Sequence, residues 1–260
     1  MPPRSSRRQS PGPGQPDRRP RPSTQTARGC SSYNCRFQHQ NKKKKFLDTY
    51  GTNLTNKAKN NELDLVIGRE KEMDEVMTIL ARRRKNNPVL IGNPGIGKTA
   101  IIEGIAQKIS DGDCPEILEN KRIIELDLST IMSGTGVQGS LEAKVKRIIL
   151  ELQDNPDVIL FIDEIHMIVD SSKAIDVSNM FKPALARGEM RCIGATTNKE
   201  YKIIEKDGAL ERRFQKVQVD EPTQKETIQI LNRLKSTYEK FHNVTYSDDA
   251  IEACVKLSGR

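Results

Sequence analysis

Tryptophan is absent from the 260-residue chain, and aromatic residues make up only 4% of it. Any core must be built from aliphatic side chains, and the 35% hydrophobic content is gathered into runs that can form one. No run approaches the eighteen or so apolar residues of a membrane span, and none resembles the apolar region of a secretory signal. The five cysteines (Cys30, Cys35, Cys114, Cys192 and Cys254) are odd in number and scattered, which argues against a disulfide framework and for a reducing compartment. Cys192, inside an apolar run, reads as a small core residue. Acidic residues are nearly missing from positions 1–45, which hold twelve Lys and Arg but only Asp17. The net charge of +8 belongs to that stretch, because the rest of the chain carries 31 basic and 34 acidic residues. Bulk charge gives no support to a nucleic-acid-binding face on the folded part.

Residues 1–45 are rich in Pro, Arg, Ser and Gln and almost lack aliphatic side chains. They cannot bury a core and are expected to be disordered. An organellar transit segment and a plain basic tail both fit this composition. Cys30, Cys35 and His39 offer three close metal ligands, one short of a structural zinc site. Lys42–Lys45 reads as a solvated charge run.

From Phe46 onward strands alternate with helices. Apolar runs predict strands at 88–91, 122–127, 157–162, 191–196 and 215–219. Helical periodicity falls at 70–84, 98–110, 139–153, 174–187 and 198–206. The strand at 158–162, Val-Ile-Leu-Phe-Ile, is apolar throughout, as a strand covered on both faces must be. The fold class is α/β, a parallel sheet sandwiched by helices, at 46–221. After Pro222 the pattern becomes purely helical, at 222–238 and 247–258, so 222–260 reads as a partial small helical domain.

Residues 92–99 read Gly-Asn-Pro-Gly-Ile-Gly-Lys-Thr, directly after the apolar run Val89-Leu90-Ile91 and directly before a helix. Gly92, Gly95 and Gly97 allow a tight loop whose backbone N–H groups turn inward onto an anion, and the helix start adds partial positive charge. Lys98 can reach terminal phosphates and the Thr99 hydroxyl can hold Mg²⁺. This P-loop, Gly92, Asn93, Pro94, Gly95, Ile96, Gly97, Lys98 and Thr99 with Ala100 after it, predicts nucleoside triphosphate binding. The strand 158–162 ends in Asp163-Glu164, an expensive arrangement unless a cation or polar ligand waits at its tip. Asp163 can help hold hydrated Mg²⁺, and Glu164 can polarise the attacking water.

Further stretches carry a resemblance. Val66-Ile67-Gly68-Arg69-Glu70, Lys85–Gly92, Ile162-Asp163-Glu164-Ile165-His166, Lys182–Glu189, Ile193-Gly194-Ala195-Thr196-Thr197, Glu205-Lys206-Asp207 and Ala209–Val217 resemble the first AAA+ module of Clp-type unfoldases. The likeness runs from about Phe46 to the C-terminus. Tyr50-Gly51-Thr52-Asn53-Leu54-Thr55 leans toward the ClpC branch, found in bacteria and plastids, over the ClpB disaggregase branch. The resemblance implies ATP and Mg²⁺ as cofactors and ATP hydrolysis coupled to unfolding of protein clients. It implies a ring of six subunits, homo- or hetero-hexameric, beside a Clp-type protease. The slightly acidic balance beyond residue 45 speaks against a nucleic-acid partner. The implied location would be the plastid stroma, with the mitochondrial matrix or the cytoplasm as alternatives.

The resemblance also assigns roles. Val66 and Ile67 would line the adenine pocket. Thr197 would be the polar sensor near the γ-phosphate, with Asn198 as substitute if the register differs by one. Arg212 and Arg213 would act as arginine fingers in a neighbouring subunit's site. Gly134, Val137 and Gly139 would form the pore loop. Relatives place a tyrosine where Val137 stands, and valine buries far less area against a threading chain. His166 reads as a structural histidine. The expectation is a truncated module that lacks a substrate-recognition domain, a second module and the end of its small domain, and so retains nucleotide weakly by itself. The rival expectation is a non-catalytic ATP-binding subunit of a mixed ring, favoured by Val137 and opposed by the Asp163-Glu164 pair.

Overall fold

Runs such as Val158–Ile162 lack any polar side and so need cover on both faces, and the fold supplies it. The computed structural model describes residues 46–132, 138–169 and 177–258. In chain order the elements are α1 (Phe46–Tyr50), β1 (Gly51–Asn53), α2 (Leu54–Lys59), α3 (Glu70–Leu80), β2 (Asn87–Ile91), α4 (Lys98–Asp111), β3 (Arg122–Leu126), α5 (Leu128–Met132) and α6 (Gln138–Asp154). Then follow β4 (Val158–Ile162), α7 (His166–Val169), α8 (Val177–Arg187), β5 (Arg191–Thr196), α9 (Asn198–Lys206), α10 (Gly208–Glu211), β6 (Phe214–Gln218), α11 (Gln224–His242) and α12 (Asp248–Ser258).

The strands form one sheet in the order β1-β3-β4-β5-β2-β6. Along β4, Val158, Leu160 and Ile162 join one apolar cluster while Ile159 and Phe161 join the other. The first cluster includes Val145 and Ile148 of α6 and Phe181 and Leu185 of α8. The second includes Val76 and Leu80 of α3 and Ile101 and Ile105 of α4. Each such fully buried aliphatic side chain contributes about 1.5–3 kcal/mol.

The sheet departs from the all-parallel expectation at one edge. β1 runs antiparallel to β3, pairing Gly51 with Leu126 and Asn53 with Ile124. Three residues without an apolar run leave no periodic signal, so tertiary contacts make this strand. A Cβ on Gly51 would lie 2.6 Å from Ile124 Cγ2 and 2.9 Å from the Leu47 carbonyl, so glycine alone fits. Just beyond, Ile123 N–H donates to the buried Thr55 Oγ1 at 2.9 Å.

The helix expected to reach Arg84 stops at Leu80, and a turn in which Lys85 adopts a left-handed conformation (φ 49°) leads into β2. Of the helix expected at 174–187, the part from Val177 is described. α11 begins in a capping box in which the Thr223 N–H and Oγ1 both donate to Glu226 Oε2, at 2.7 and 2.8 Å. It buries none of its residues, whereas α12 buries Ile251 and Val255. No helix among the described residues is long and apolar enough to cross a membrane.

Candidate nucleotide site

The loop between β2 and α4 is shaped by glycines with different duties. Gly95 (φ 79°) and Gly97 (φ 92°) are left-handed, a conformation that other residues resist. A Cβ on Gly95 would meet nothing within 4 Å, so the loop stands open there. Gly92 is packed instead: a Cβ on it would fall 2.1 Å from Ile96 Cδ1 and 2.6 Å from the Val219 carbonyl. Gly97 occupies the N-cap of α4 and supplies no side-chain cap, so the first-turn N–H groups stay free to meet an anion. Lys98 is buried and its Nζ donates to the carbonyls of Gly92 and Asn93, both at 3.1 Å. The ammonium is thereby held over the mouth of its own loop.

The acidic pair stands at the same edge of the sheet. β5 separates β2 from β4, with Ile91 level with Thr196 and Ile162 level with Gly194. Two inter-strand spacings, about 10 Å, therefore separate the loop from the acids. The end of β5 grips both. Gly92 N–H donates to the Thr196 carbonyl at 3.3 Å, and Ile165 N–H donates to the Ala195 carbonyl at 3.0 Å. Glu164 adopts φ 53°, a conformation costing about 1–3 kcal/mol for a residue with a side chain. Asp163 Oδ1 accepts the Glu164 N–H at 2.9 Å and steadies that turn. Gly194 makes room for it, since a Cβ there would lie 2.7 Å from Ile165 Cδ1.

His166, expected from the sequence to be structural, packs into this cluster. Its buried Nδ1 lies 3.1 Å from Glu164 Oε2, 3.3 Å from Glu200 Oε2 and 3.2 Å from Thr196 Oγ1. Burial pushes Glu200 up, but hydrogen bonds from Thr197 and the His166 charge outweigh it and leave its carboxyl below the usual range. Thr197 caps α9, donating from Oγ1 to Glu200 Oε2 at 2.8 Å. Asn198 instead lines a cavity of about 250 Å³ together with Gly92, Asn93 and Ile96. The only sequence signal for this network was the Thr-x-x-Glu spacing of Thr197 and Glu200.

The remaining predicted residues are dispersed. Val66 sits against α4, where a Cβ on Gly104 would be 3.1 Å from Val66 Cβ. The missing side chain at Gly104 is what admits Val66, and Ile67 follows half-buried. Arg212 is exposed, whereas Arg213 is half-buried, with its guanidinium against Gly188. Both precede Phe214, which pairs with Asn87 at the start of β2. The length of β2, about 13 Å, separates them from their own phosphate loop. Gly134 and Val137 lie outside the described residues, and Gly139 falls in the first turn of α6.

Beside the acids opens a cavity of about 730 Å³ lined by Glu125, Asp127, Ser129, Asp163 and Glu164. Burial, with Asp163 nearby, pushes the Glu125 carboxyl up. Asp127 goes the other way, to about 2, because Ser129 and Thr130 donate to it at the start of α5. A depressed carboxyl stabilises the fold above its unfolded value of 3.8, and that contribution disappears as pH falls toward about 2. Asp127→Ala removes the cap at a cost of about 1 kcal/mol at neutral pH. Urea unfolding at pH 7 and pH 2.5 checks this: the variant's deficit shrinks at the lower pH.

Residues 88–221 match the ATPase family associated with various cellular activities (AAA), and residues 223–260 match the AAA lid domain. The chain belongs to the AAA family. The chain is 54% identical over 224 residues to the ATP-dependent Clp protease ATP-binding subunit ClpE of Bacillus subtilis, covering 85% of this chain and 32% of that protein. It is 55% identical over 218 residues to ClpC of Staphylococcus aureus, covering 82% and 27%. The chaperone protein ClpC1, chloroplastic, of Oryza sativa is 53% identical over 216 residues, covering 82% and 24%. The chain thus spans about a quarter to a third of the curated relatives it matches. ClpB of Oceanobacillus iheyensis stands at 52%, so identity does not separate the ClpC branch from the ClpB branch. Among solved structures the module superposes on an S. cerevisiae Hsp104-ADP complex with a TM-score of 0.76 at 46% identity, over 82% of this chain and 37% of that one.

Proposed function

We propose that this chain is the ATP-binding and ATP-hydrolysing module of a Clp-type protein unfoldase, acting in a six-membered ring beside a Clp-type protease. The observation that carries the reading is the double grip of β5, whose end holds the phosphate loop through Gly92 and the acidic turn through Ile165. Val66 and Ile67 receive the adenine. Lys98 and the open N–H groups of the loop take the phosphates, exchanging the Gly92 and Asn93 carbonyls for phosphate oxygens. Thr99 and Asp163 offer hard oxygen ligands of the kind Mg²⁺ accepts, and the bound ion would neutralise phosphate charge. Glu164 orients the attacking water and takes its proton. Asn198, facing the cavity under the loop, serves as polar sensor, while Thr197 is engaged as a cap. Gly134, Val137 and Gly139 would supply the loop that grips a threading client.

Residues 1–45 act as a plastid transit segment in this reading. Their Arg- and Ser-rich, acid-poor composition supports it, as does the chloroplastic relative. Sequencing the mature amino terminus from cells checks it: a start near residue 45 means import.

The purified chain binds Mg-ATP, and Lys98→Ala raises its Kd at least about tenfold through loss of charge-assisted hydrogen bonds. Calorimetric titration measures this, and turnover is followed alone and mixed with a full-length relative. Binding without turnover in either setting would instead make the chain an assembly subunit, the reading that Val137 favours.

A further inference from the structure

The phosphate loop and the segment leading into α11 meet at one buried cation. Arg69 is buried at the N-terminus of α3, and its guanidinium forks between two backbone segments. Nη2 donates to the Ile96 carbonyl, inside the phosphate loop, at 3.0 Å. Nη1 donates to the Asp220 carbonyl, between β6 and α11, at 2.9 Å, and to Glu72 Oε1 at 2.7 Å. The root of this side chain is rigid, because α3 buries Met73, Val76, Met77, Ile79 and Leu80.

The segment it holds has few other ties. Val219 N–H donates to the Ile91 carbonyl at 2.8 Å, the last ladder bond beyond β6. Three residues later Pro222 has no N–H to offer, and Thr223 opens the capping box of α11. The further link from loop to hinge, Asn93 Nδ2 to Glu221 Oε1, is exposed and long at 3.4 Å. Backbone hydrogen bonds from Thr223 hold Glu226 below the usual carboxylate range, and the charges of Arg69 and Lys71 add to this.

We propose that Arg69 is a positioning residue that couples the phosphate loop to the lid hinge, so that nucleotide in the loop sets the orientation of α11. The inference rests on the nucleotide-binding reading above. Both acceptors are main-chain carbonyls, so a shift of the loop at Ile96 is transmitted to the backbone at Asp220 through one planar group. A lysine ammonium, a point charge, cannot span the two carbonyls in the same fork. An arginine placed merely to fill space would not need acceptors on two segments separated by more than a hundred residues.

Hydrogen exchange on the full chain, with and without saturating Mg-ATP, tests this. In the unaltered protein ATP slows exchange at both 92–99 and 219–226. In Arg69→Met, saturating ATP still protects 92–99, but 219–226 exchanges as it does without nucleotide, and the nucleotide Kd rises roughly tenfold. Arg69→Lys keeps the charge and gives partial hinge protection, and it replaces the methionine variant in the comparison should that variant not fold. Hinge protection equal to the unaltered protein's in the folded variant overturns the proposal, as does protection of 92–99 alone in the unaltered chain. Absence of any protection at 92–99 in the unaltered chain overturns the nucleotide site itself.

Discussion

Glu164→Gln lowers ATP turnover by roughly 10²–10⁴-fold while nucleotide binding stays intact. The amide keeps the length of the side chain and can still accept from His166, whose Nδ1 lies 3.1 Å from Glu164 Oε2. It cannot take a proton from water. The strained turn at φ 53° is held from outside the side chain, by Ile165 N–H on the Ala195 carbonyl, so the substitution leaves the loop geometry alone. Single-turnover hydrolysis and equilibrium titration of Mg-ATP on the same preparation separate the two effects. A loss below about tenfold would place the base elsewhere.

Arg212→Ala lowers turnover by about 10³-fold or more, and the defect is repaired by a different defective subunit. The reason is positional. Arg212 precedes Phe214 at the start of β6, while its own phosphate loop follows Ile91 at the far end of β2. A side chain exposed at that edge is turned away from its own loop, and in the proposed ring it would reach the nucleotide of a neighbouring subunit. In the proposed ring, an Arg212→Ala subunit has sound acids, and a Glu164→Gln subunit has a sound arginine. Mixed in equal amounts, about a quarter of the sites pair the two sound halves, so turnover recovers to about a quarter of the unaltered level. Each variant alone stays inactive. No recovery in particles shown by mass to be mixed would refute action across the interface. Arg213, packed on Gly188, gives a smaller and mainly structural effect.

The parts of the site that were legible in the sequence are those whose requirements are local. A loop that must adopt positive φ needs Gly95 and Gly97 wherever the chain goes next, and a strand covered on both faces needs five apolar residues in a row. Gly104 and Gly194 gave no such signal. Their reason is a distant side chain, Val66 in one case and Ile165 in the other. The partners of His166 gave no local signal because Glu200 lies 34 positions away and meets it through the capped start of α9. β1 was missed because its three residues carry no period, only room for Gly51 beneath Ile124.

Residue chemistry and spacing along the chain determined what this protein can bind: a glycine loop with Lys98 and Thr99 suits phosphate, and Asp163-Glu164 suits a metal and a water. Tertiary structure alone decided which of these groups share an edge. Parallel pairing of β2, β5 and β4 brings the loop and the acids to one end, and the parallel pairing of β6 with β2 sends Arg212 to the other. Strand order arises from helices burying both faces of the sheet, a condition met over the whole domain and written in no single segment.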